Sequence, residues 1–291
     1  MYQLPQTLAA AIAAGNPQRV LIEFTDYDPV VQFSNEDIVI SNGLHLSEEF
    51  NTETDLTVGQ CTSAEIDFAM WNDEAQLAEF EFGTFKAYLG ARIDSGTPTG
   101  KTKTFTENGR TVTYEFAPLG VFVAERPDIV KKTVIEVHSN DRMTLFDVDM
   151  PSKEDLGITY PTTLSTLFQK MCEYLEVPYV SSTFLNSGIT VSKEPDQFES
   201  ATMREVLKWI AEAAGSNARF NRNGQLEFIW FNTVNKTYTE SNYREFTPTW
   251  YETAAIDGLH IRNANSTTEY VVGTGENAYL IQDNPFLRQS D

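Results

Sequence analysis

Three asparagine–glycine pairs constrain the fold of this chain more than any other sequence feature. Asn42-Gly43, Asn108-Gly109 and Asn223-Gly224 each stand between short runs rich in β-branched, aromatic or other strand-forming residues. Asn-Gly favours the positive φ angles that a tight β-hairpin loop requires. The pairs predict hairpins between 38–40 and 44–46, between 101–106 and 110–116, and between 218–220 and 225–230.

Further strands are expected around the first two hairpins. Residues 64–70 alternate polar and apolar side chains, which places Ile66, Phe68 and Met70 on one buried face. Residues 19–146 therefore predict a mainly antiparallel unit, closed into a barrel or sandwich so that few strand edges stay open. Its other expected strands are 19–24, an aromatic-rich strand pair over 80–93 with possible bulges at Gly83 and Gly90, 119–124, and 133–138 ending at Ser139-Asn140-Asp141, with a turn at Arg126-Pro127-Asp128.

Helical patterns occur at the N-terminus and in the second half of the chain. An alanine-rich run stopped by Gly15 predicts a short first helix. Apolar residues at helical spacing predict helices over 162–176 and 203–214, and Thr202 with Glu205 has the spacing of a capping box. Three more strands are expected at 258–262, 269–272 and 277–281.

These patterns define the fold class as α+β, mainly β. We expect an antiparallel β-barrel domain over 1–150, a small subdomain of two helices and a hairpin over 151–232, and returning strands over 233–291 that complete a barrel or begin a second one. The first boundary is the acidic, proline-containing segment 147–155. A calcium site there would use Asp147, Asp149, Glu154 and Asp155, but their spacing does not fit a calcium-binding loop, which favours a solvated linker.

Composition excludes several classes of function. A net charge of −21 argues against a nucleic-acid-binding face and against adhesion to anionic membranes. No apolar run is long enough to span a bilayer, and no basic segment precedes the apolar start, so no signal peptide is expected. Cys61 and Cys172 are expected to be buried thiols, although the sequence leaves a disulfide between them open.

The sequence offers no catalytic, cofactor-binding or metal-ligating residue. It lacks the motifs of nucleophilic enzymes, nucleotide-binding loops and zinc sites. His45, His138 and His260 lie far apart in strand-like runs and are interpreted as structural. The protein is therefore not expected to be an enzyme, and no cofactor is expected.

Five segments resemble the phage tail-hub, or baseplate-hub, family of tailed phages, prophages and contractile injection systems. The first two are Pro118-Leu119-Gly120-Val121-Phe122 and 141–147, which reads D-R-M-T-L-F-D. The third is the helix and hairpin of 200–230, with matching positions at Thr202, Arg204, Glu205, Leu207, Ile210, Ala211, Glu212, Gly215, Ala218, Asn223, Gly224 and Leu226. The others are Gly43, Leu44, Leu56, Gly59, Ile66 and Phe68 in the early strands and Asn284-Pro285-Phe286-Leu287 near the end.

The resemblance implies a virion structural protein at the tail tip, made in the host cytoplasm. It implies a homotrimer whose β-barrels form a ring that continues the tail tube and connects it to the tip. The implied partners are the distal tail or tail-tube protein on one side and a tip or fibre protein on the other. DNA would pass through the lumen without specific binding, and the acidic composition suits such a conduit because it repels DNA. Family members usually continue into further modules, so the chain is expected to be a minimal hub or a fragment.

Two alternatives from other classes remain open at this point. The aromatic residues Tyr238, Tyr243, Phe246, Trp250 and Tyr251 could stack sugars in a carbohydrate-binding module of a surface protein. Dispersed acidic residues could serve a glycoside hydrolase, but carboxylate separation across a cleft is not readable from sequence.

Overall fold

The computed structural model describes residues 3–39, 44–48, 57–71, 83–125, 128–131, 133–230, 256–262, 270–274 and 277–287. They are mainly β, with a large antiparallel sheet followed by a smaller α/β unit and a three-stranded sheet. The large sheet consists of β1 (Gln18–Phe24), β2 (Val31–Ser34), β3 (Leu44–Ser47), β4 (Glu65–Trp71), β5 (Thr84–Arg92), β6 (Lys101–Glu107), β7 (Arg110–Ala124), β8 (Asp128–Lys131) and β9 (Val134–Asp141).

The nine strands follow the order β2-β1-β5-β7-β9-β4-β3, with β6 also paired to β7 and β8 to β9. β4 also buries Ala69 on its other face, so its alternation is incomplete, but the predicted burial of Ile66, Phe68 and Met70 is confirmed. They join one apolar cluster with side chains of β1, β5, β7 and β9. Phe85 lies at its centre, with ring centroids 5.1 Å from Phe24 and 5.7 Å from Phe68. Burying a phenylalanine of this kind stabilises the fold by about 1.5–3 kcal/mol.

The chain changes partner strand directly after β2. Residues 31–34 pair with β1, whereas Ile38 faces Met70 and the Val39 N–H donates to the Ala69 carbonyl at 2.8 Å. β3 then pairs with the same strand, with Leu44 opposite Phe68. The predicted hairpin between 38–40 and 44–46 is therefore wrong, because both segments pair with β4 rather than with each other. Its turn residues lie outside the described part of the chain.

The second Asn-Gly hairpin is confirmed, and its returning strand is longer than expected. β6 and β7 pair across Asn108 and Gly109, which have φ angles of 50° and 74°. β7 continues as one strand to Ala124, so the segments 110–116 and 119–124 belong to the same strand.

β9 does not end before Ser139 as predicted. It continues to Asp141, because Ser139, Asn140 and Asp141 pair with β4 and β7.

The predicted strand pair over 80–93 is wrong where the structure describes it. Residues 84–92 form the single strand β5, and 80–82 lie outside the described residues. Its register shifts between Ala87 and Tyr88, not at a glycine. Gly90 instead allows a close approach, since a Cβ there would lie 2.5 Å from the Phe116 ring.

The first helix, α1 (Gln6–Ala13), packs on β5 and β7 through Leu8 and Ala11. Its N-cap residue Pro5 has no side chain to accept a hydrogen bond. The buried carboxylate of Glu115 in β7 takes that role, accepting from the Thr7 hydroxyl and the Leu8 backbone N–H. None of the described helices is long and apolar enough to cross a membrane.

The α/β unit begins at a 3₁₀ turn, Arg142–Phe146. Its two helices bury the predicted apolar stripes in a core separate from that of the large sheet. The capping box of Thr202 and Glu205 is confirmed, and so is the third Asn-Gly hairpin. The elements of this unit are β10 (Thr162–Thr163), α2 (Leu164–Tyr174), β11 (Thr190–Val191), α3 (Met203–Ala213), β12 (Asn217–Phe220) and β13 (Leu226–Ile229).

The last described elements are β14 (Gly258–Arg262), β15 (Tyr270–Gly273) and β16 (Ala278–Gln282), which confirm the three predicted strands. They form a sheet in the order β15-β14-β16, with β14 antiparallel to β15 and parallel to β16. The division of the chain into units at 150 and 232 stays a prediction. Backbone pairing crosses the first boundary, as Cys61 faces Ala218 in a parallel bridge.

Candidate functional site

The described residues contain no group of three or more His, Cys, Asp or Glu side chains placed to hold a metal ion. Asp147 pairs instead with Arg204, and Asp155 accepts a hydrogen bond from Ser152. Cys61 and Cys172 are buried and free, and burial raises the pKa of each thiol to about 12, so both stay protonated at neutral pH.

Hydrogen bonds between distant segments are concentrated where the large sheet contacts the α/β unit, and we call this region the joint. It consists of residues 57–64 and 119–121, the end of β9 with the 3₁₀ turn, and the β12–β13 hairpin. Three features of the joint fix the two units against each other.

The first feature is a backbone pairing that adds the segment before β4 to the α/β unit. The Gly59 N–H donates to the Ser216 carbonyl at 2.9 Å, and the Ala218 N–H donates to the Gln60 carbonyl at 2.8 Å. The Asn217 side chain, almost fully buried, accepts from the Gln60 N–H at 2.9 Å. Gly59 has a φ of +83°, and a Cβ there would lie 2.9 Å from Glu212 Cβ, so a side chain at this position would push α3 away.

The second feature is the turn of the β12–β13 hairpin, which contacts β7. The Arg222 guanidinium donates to the Leu119 carbonyl oxygen at 3.1 Å and pairs with the Glu48 carboxylate at 2.9 Å. Leu119 is the additional residue at the register shift between β5 and β7, where Pro118 faces Tyr88 and Gly120 faces Ala87. The bulged strand therefore supplies an acceptor for a guanidinium from the other unit.

The glycine of the same turn lies directly on β7. A Cβ on Gly224 would lie 2.5 Å from Val121 Cγ2, and the residue has a φ of +72°. The equivalent glycine of the β6–β7 hairpin, Gly109, has nothing within 4 Å of its Cβ position. Gly224 is thus required for the docking of the hairpin as well as for its turn.

The third feature is Asp141, the last residue of β9. Its carboxylate accepts from the Ser63 hydroxyl at 2.9 Å, the Ala64 N–H at 3.0 Å and the Met143 N–H at 2.9 Å. Burial raises the pKa of this carboxyl, and the three hydrogen bonds oppose that rise. Asp141 thereby links the sheet to the 3₁₀ turn that opens the α/β unit. A shallow cleft beside it is lined by Glu48, Thr62, Ser63, Ala64, Asp141, Arg219 and Phe220.

The C-terminal strands are attached to the α/β unit at α3. The side-chain amide of Asn284, fully buried, donates to the Trp209 carbonyl at 2.9 Å and to the Glu212 carboxylate at 2.8 Å. Its side-chain oxygen accepts from the Phe286 N–H at 2.9 Å, which places the Phe286 ring in the core of the α/β unit. The Tyr279 hydroxyl contacts the Val58 N–H at 2.9 Å. These contacts attach the sheet of β14, β15 and β16 to the α/β unit and the joint through β16 and the residues that follow it.

The motif residues of the sequence meet at these contacts although they are far apart in the chain. Leu119 and Val121 of one segment contact the turn that contains Asn223 and Gly224 of another. Within the segment 141–147, Asp141 caps the 3₁₀ turn and Asp147 pairs with Arg204. Some of the residues that carry the resemblance, among them Leu119, Val121, Asp141 and Gly224, therefore lie at contacts between the large sheet and the α/β unit.

Sequence reasoning missed Arg222, Gln60 and Asn217. One indication for Arg222 lies in the sequence, because this residue directly precedes Asn223-Gly224 and is therefore placed at a hairpin turn. The predicted strand placement of the three histidines is confirmed, since His45, His138 and His260 lie within β3, β9 and β14. His138 pairs with Asp67 at 3.0 Å across β9 and β4, and the structural role of the three histidines stays a prediction.

Comparison with known proteins gives a likeness of fold. No family model matches the chain, and a search of curated protein sequences also found no match. The chain is similar to the crystal structure of the prophage MuSo2 43 kDa tail protein from Shewanella oneidensis, with a TM-score of 0.51 and 11% identity over 91% of this chain and 73% of that one. A tail protein from Neisseria meningitidis MC58 aligns with a TM-score of 0.42 and 9% identity over 92% of this chain and 65% of that one.

Proposed function

We propose that this chain is a structural component of a phage or prophage tail. The observation that carries the proposal is the fold shared with the prophage MuSo2 tail protein over 91% of the chain. The joint supports it, because hydrogen bonds between distant segments hold the sheet and the α/β unit in a fixed orientation. The described residues show no arrangement of catalytic groups that favours an enzyme.

Within the tail, we assign the chain to the hub and its large sheet to a closed barrel. The partner change after β2 supports closure, since residues 31–39 hydrogen bond first to β1 and then to β4, the strands next to the two ends of the strand path. The apolar cluster that receives side chains from β1, β4, β5, β7 and β9 fits the interior of such a barrel.

The assembly that we propose is a homotrimer whose barrels form a ring continuing the tail tube. The ring would contact the distal tail or tube protein on one side and the tip or fibre protein on the other. The net charge of −21 fits a conduit that DNA traverses without binding, because like charges repel. A neutral or basic lumen in the assembled ring would contradict this reading of the charge.

The test is the solution mass by light scattering over a concentration series. A trimer, or an equilibrium between monomer and trimer, is the expected result, and negative-stain images of the trimer should show a ring with a central opening. A strict monomer at high concentration would overturn the ring for this chain.

The carbohydrate-binding alternative rested on Tyr238, Tyr243, Phe246, Trp250 and Tyr251, which lie outside the described residues. No geometry in the described part of the chain favours it. A strict monomer that binds glycans on an array would be the result that restores it.

A further inference from the structure

The strand β15 lies at the outer edge of the sheet formed by β14, β15 and β16. The strand order places β14 between the other two, so β15 and β16 are the two edges. The β16 edge is the attached one, since Tyr279 contacts Val58, Ile281 is buried and Asn284 follows two residues after the strand. Among the described residues, no strand other than β14 pairs with β15.

Both faces of β15 carry large apolar side chains that are about half exposed. The exposed fractions are 53% for Tyr270, 49% for Val271 and 49% for Val272. Side chains alternate between faces along a strand, so Tyr270 and Val272 lie on one face and Val271 on the other. A three-stranded sheet gains stability by covering an apolar face. A strand exposed on both faces and along its edge therefore has the properties of a surface that another chain covers.

This edge lacks the features that normally prevent pairing with another chain. Edge strands are usually protected by lysine, proline, a bulge or inward-pointing charge. β6, a terminal strand of the large sheet, carries Lys101 and Lys103. β15 reads Tyr-Val-Val-Gly and contains none of these residues, and its pairing with β14 is regular.

The charge distribution indicates which partner fits. The chain has a net charge of −21, so two copies repel each other over most of their surface. None of the residues in β14, β15 and β16 is aspartate or glutamate. The neighbouring carboxylate of Asp257 is bound to the Thr274 hydroxyl at 2.5 Å and the Asn277 N–H at 3.0 Å. The strands of this sheet thus bring no carboxylate of their own to a contact with a second copy, although Glu269 directly precedes β15.

We propose that β15 is the docking site for a second copy of this chain, which adds one of its own strands to this edge. The contact rests on the trimeric ring proposed above. In a ring of three, the edge of one copy meets a different surface of the next, because a contact between two identical β15 strands closes at two copies. Main-chain hydrogen bonds would supply the pairing, and Tyr270, Val271 and Val272 would be covered by the neighbour.

The experiment compares the association of the full chain with that of four single variants. Val272→Lys and Val272→Glu place a charge of either sign on the edge. Val180→Lys and Val180→Glu are matched controls, because Val180 is 55% exposed in the α/β unit, away from this sheet. Circular dichroism and thermal unfolding confirm that each variant is folded, and analytical ultracentrifugation gives the dissociation constant of the trimer.

Both Val272 variants are expected to weaken the trimer about tenfold or more, as expected for a charge placed in a buried contact, while the Val180 variants match the natural chain. A trimer unaffected by either Val272 variant would overturn β15 as the docking edge and leave the ring proposal standing. Weakening by glutamate alone would also overturn strand docking, since it would report only charge repulsion. If the natural chain is a strict monomer, both proposals fail.

Discussion

The Arg222 guanidinium donates a hydrogen bond to the carbonyl oxygen of Leu119, 103 positions earlier in the chain, at a distance of 3.1 Å. The acceptor belongs to a bulged residue of the large sheet, and the donor belongs to a hairpin turn of the α/β unit. A charged donor on a backbone carbonyl is a strong hydrogen bond and is directional. Arg222 therefore helps to set the orientation of one unit on the other, in addition to stabilising the contact.

Replacing Arg222 with methionine is expected to lower the free energy of unfolding by about 1–3 kcal/mol, because the Leu119 carbonyl and the Glu48 carboxylate both lose their donor. Arg222→Lys should lose less stability than Arg222→Met, since lysine keeps the positive charge but lacks the planar guanidinium with its several donors. Urea unfolding at neutral pH gives the measurement. Lys193→Met is the control, because Lys193 is 80% exposed and its ion pair is long, at 3.8 Å. Equal stability of the Arg222→Met and Lys193→Met variants would show that the contact does not hold the units together.

Gly224→Ala should destabilise the fold more than Gly109→Ala does, although both glycines occupy Asn-Gly turns. Positive φ angles cost either alanine about 1–2 kcal/mol. Only the alanine at 224 also meets Val121, at a Cβ distance of 2.5 Å. Thermal unfolding should therefore show a larger fall in Tm for Gly224→Ala, and the double variant Gly224→Ala with Val121→Ala should recover part of the difference. Equal falls in Tm would mean that the turn does not press on β7 in solution.

Asn284→Ala is expected to destabilise the attachment of the C-terminal sheet by about 1–3 kcal/mol, because the Glu212 carboxylate and the Trp209 carbonyl lose a buried donor. Hydrogen exchange should then rise in β16 and remain unchanged in the large sheet. Gln282→Ala, at an exposed position two residues earlier, is the matched control. Exchange in β16 that matches the control would argue that Asn284 is not the anchor.

Glu212→Gln is expected to raise stability at neutral pH. Burial raises the pKa of the Glu212 carboxyl, and the hydrogen bond from Asn284 only partly offsets this. The folded state of the natural chain therefore loses stability as the pH rises from the usual pKa of 4.5 through the raised value. Glutamine keeps an acceptor for Asn284 without the charge, so the variant should lack this loss. The two chains should converge in Tm at low pH, and a constant difference at all pH values would contradict the assignment.

Glu115 is expected to give the opposite pH dependence. Burial alone would raise its pKa, but hydrogen bonds from the Thr7 hydroxyl and from the backbone N–H groups of Gly100, Thr99 and Leu8 lower it below the usual 4.5. The resulting stabilisation is complete above pH 4.5 and is lost as the pH falls through the lowered value. Glu115→Gln should be less stable than the natural chain at pH 7, by about 1–3 kcal/mol, and should approach it in acid. Hydrogen exchange in α1 should rise as that stability is lost.

The sequence predicted the elements whose signals lie within a few residues. The hairpins at Asn108-Gly109 and Asn223-Gly224 and the capping box at Thr202 were confirmed, because turn and cap preferences act over two to four positions. The same reasoning failed at Asn42-Gly43, where the flanking segments pair with β4 instead of with each other. An Asn-Gly pair indicates that the chain can reverse direction there. Whether the two flanking segments form a hairpin depends on which strands are available for each of them to pair with.

The sequence by itself determined the mainly β character, the two amphipathic helices of the α/β unit and the strongly acidic surface, since each follows from local periodicity or from composition. Only the tertiary structure decided that Arg222 meets Leu119, that Glu115 binds the start of α1 and that Asn284 binds α3. In each pair, one partner is a backbone group or a side chain, and the sequence around it does not indicate which residue it will contact. Such contacts depend on the geometry of strands and bulges brought together by burial of the apolar cores, and that geometry is a property of the whole chain.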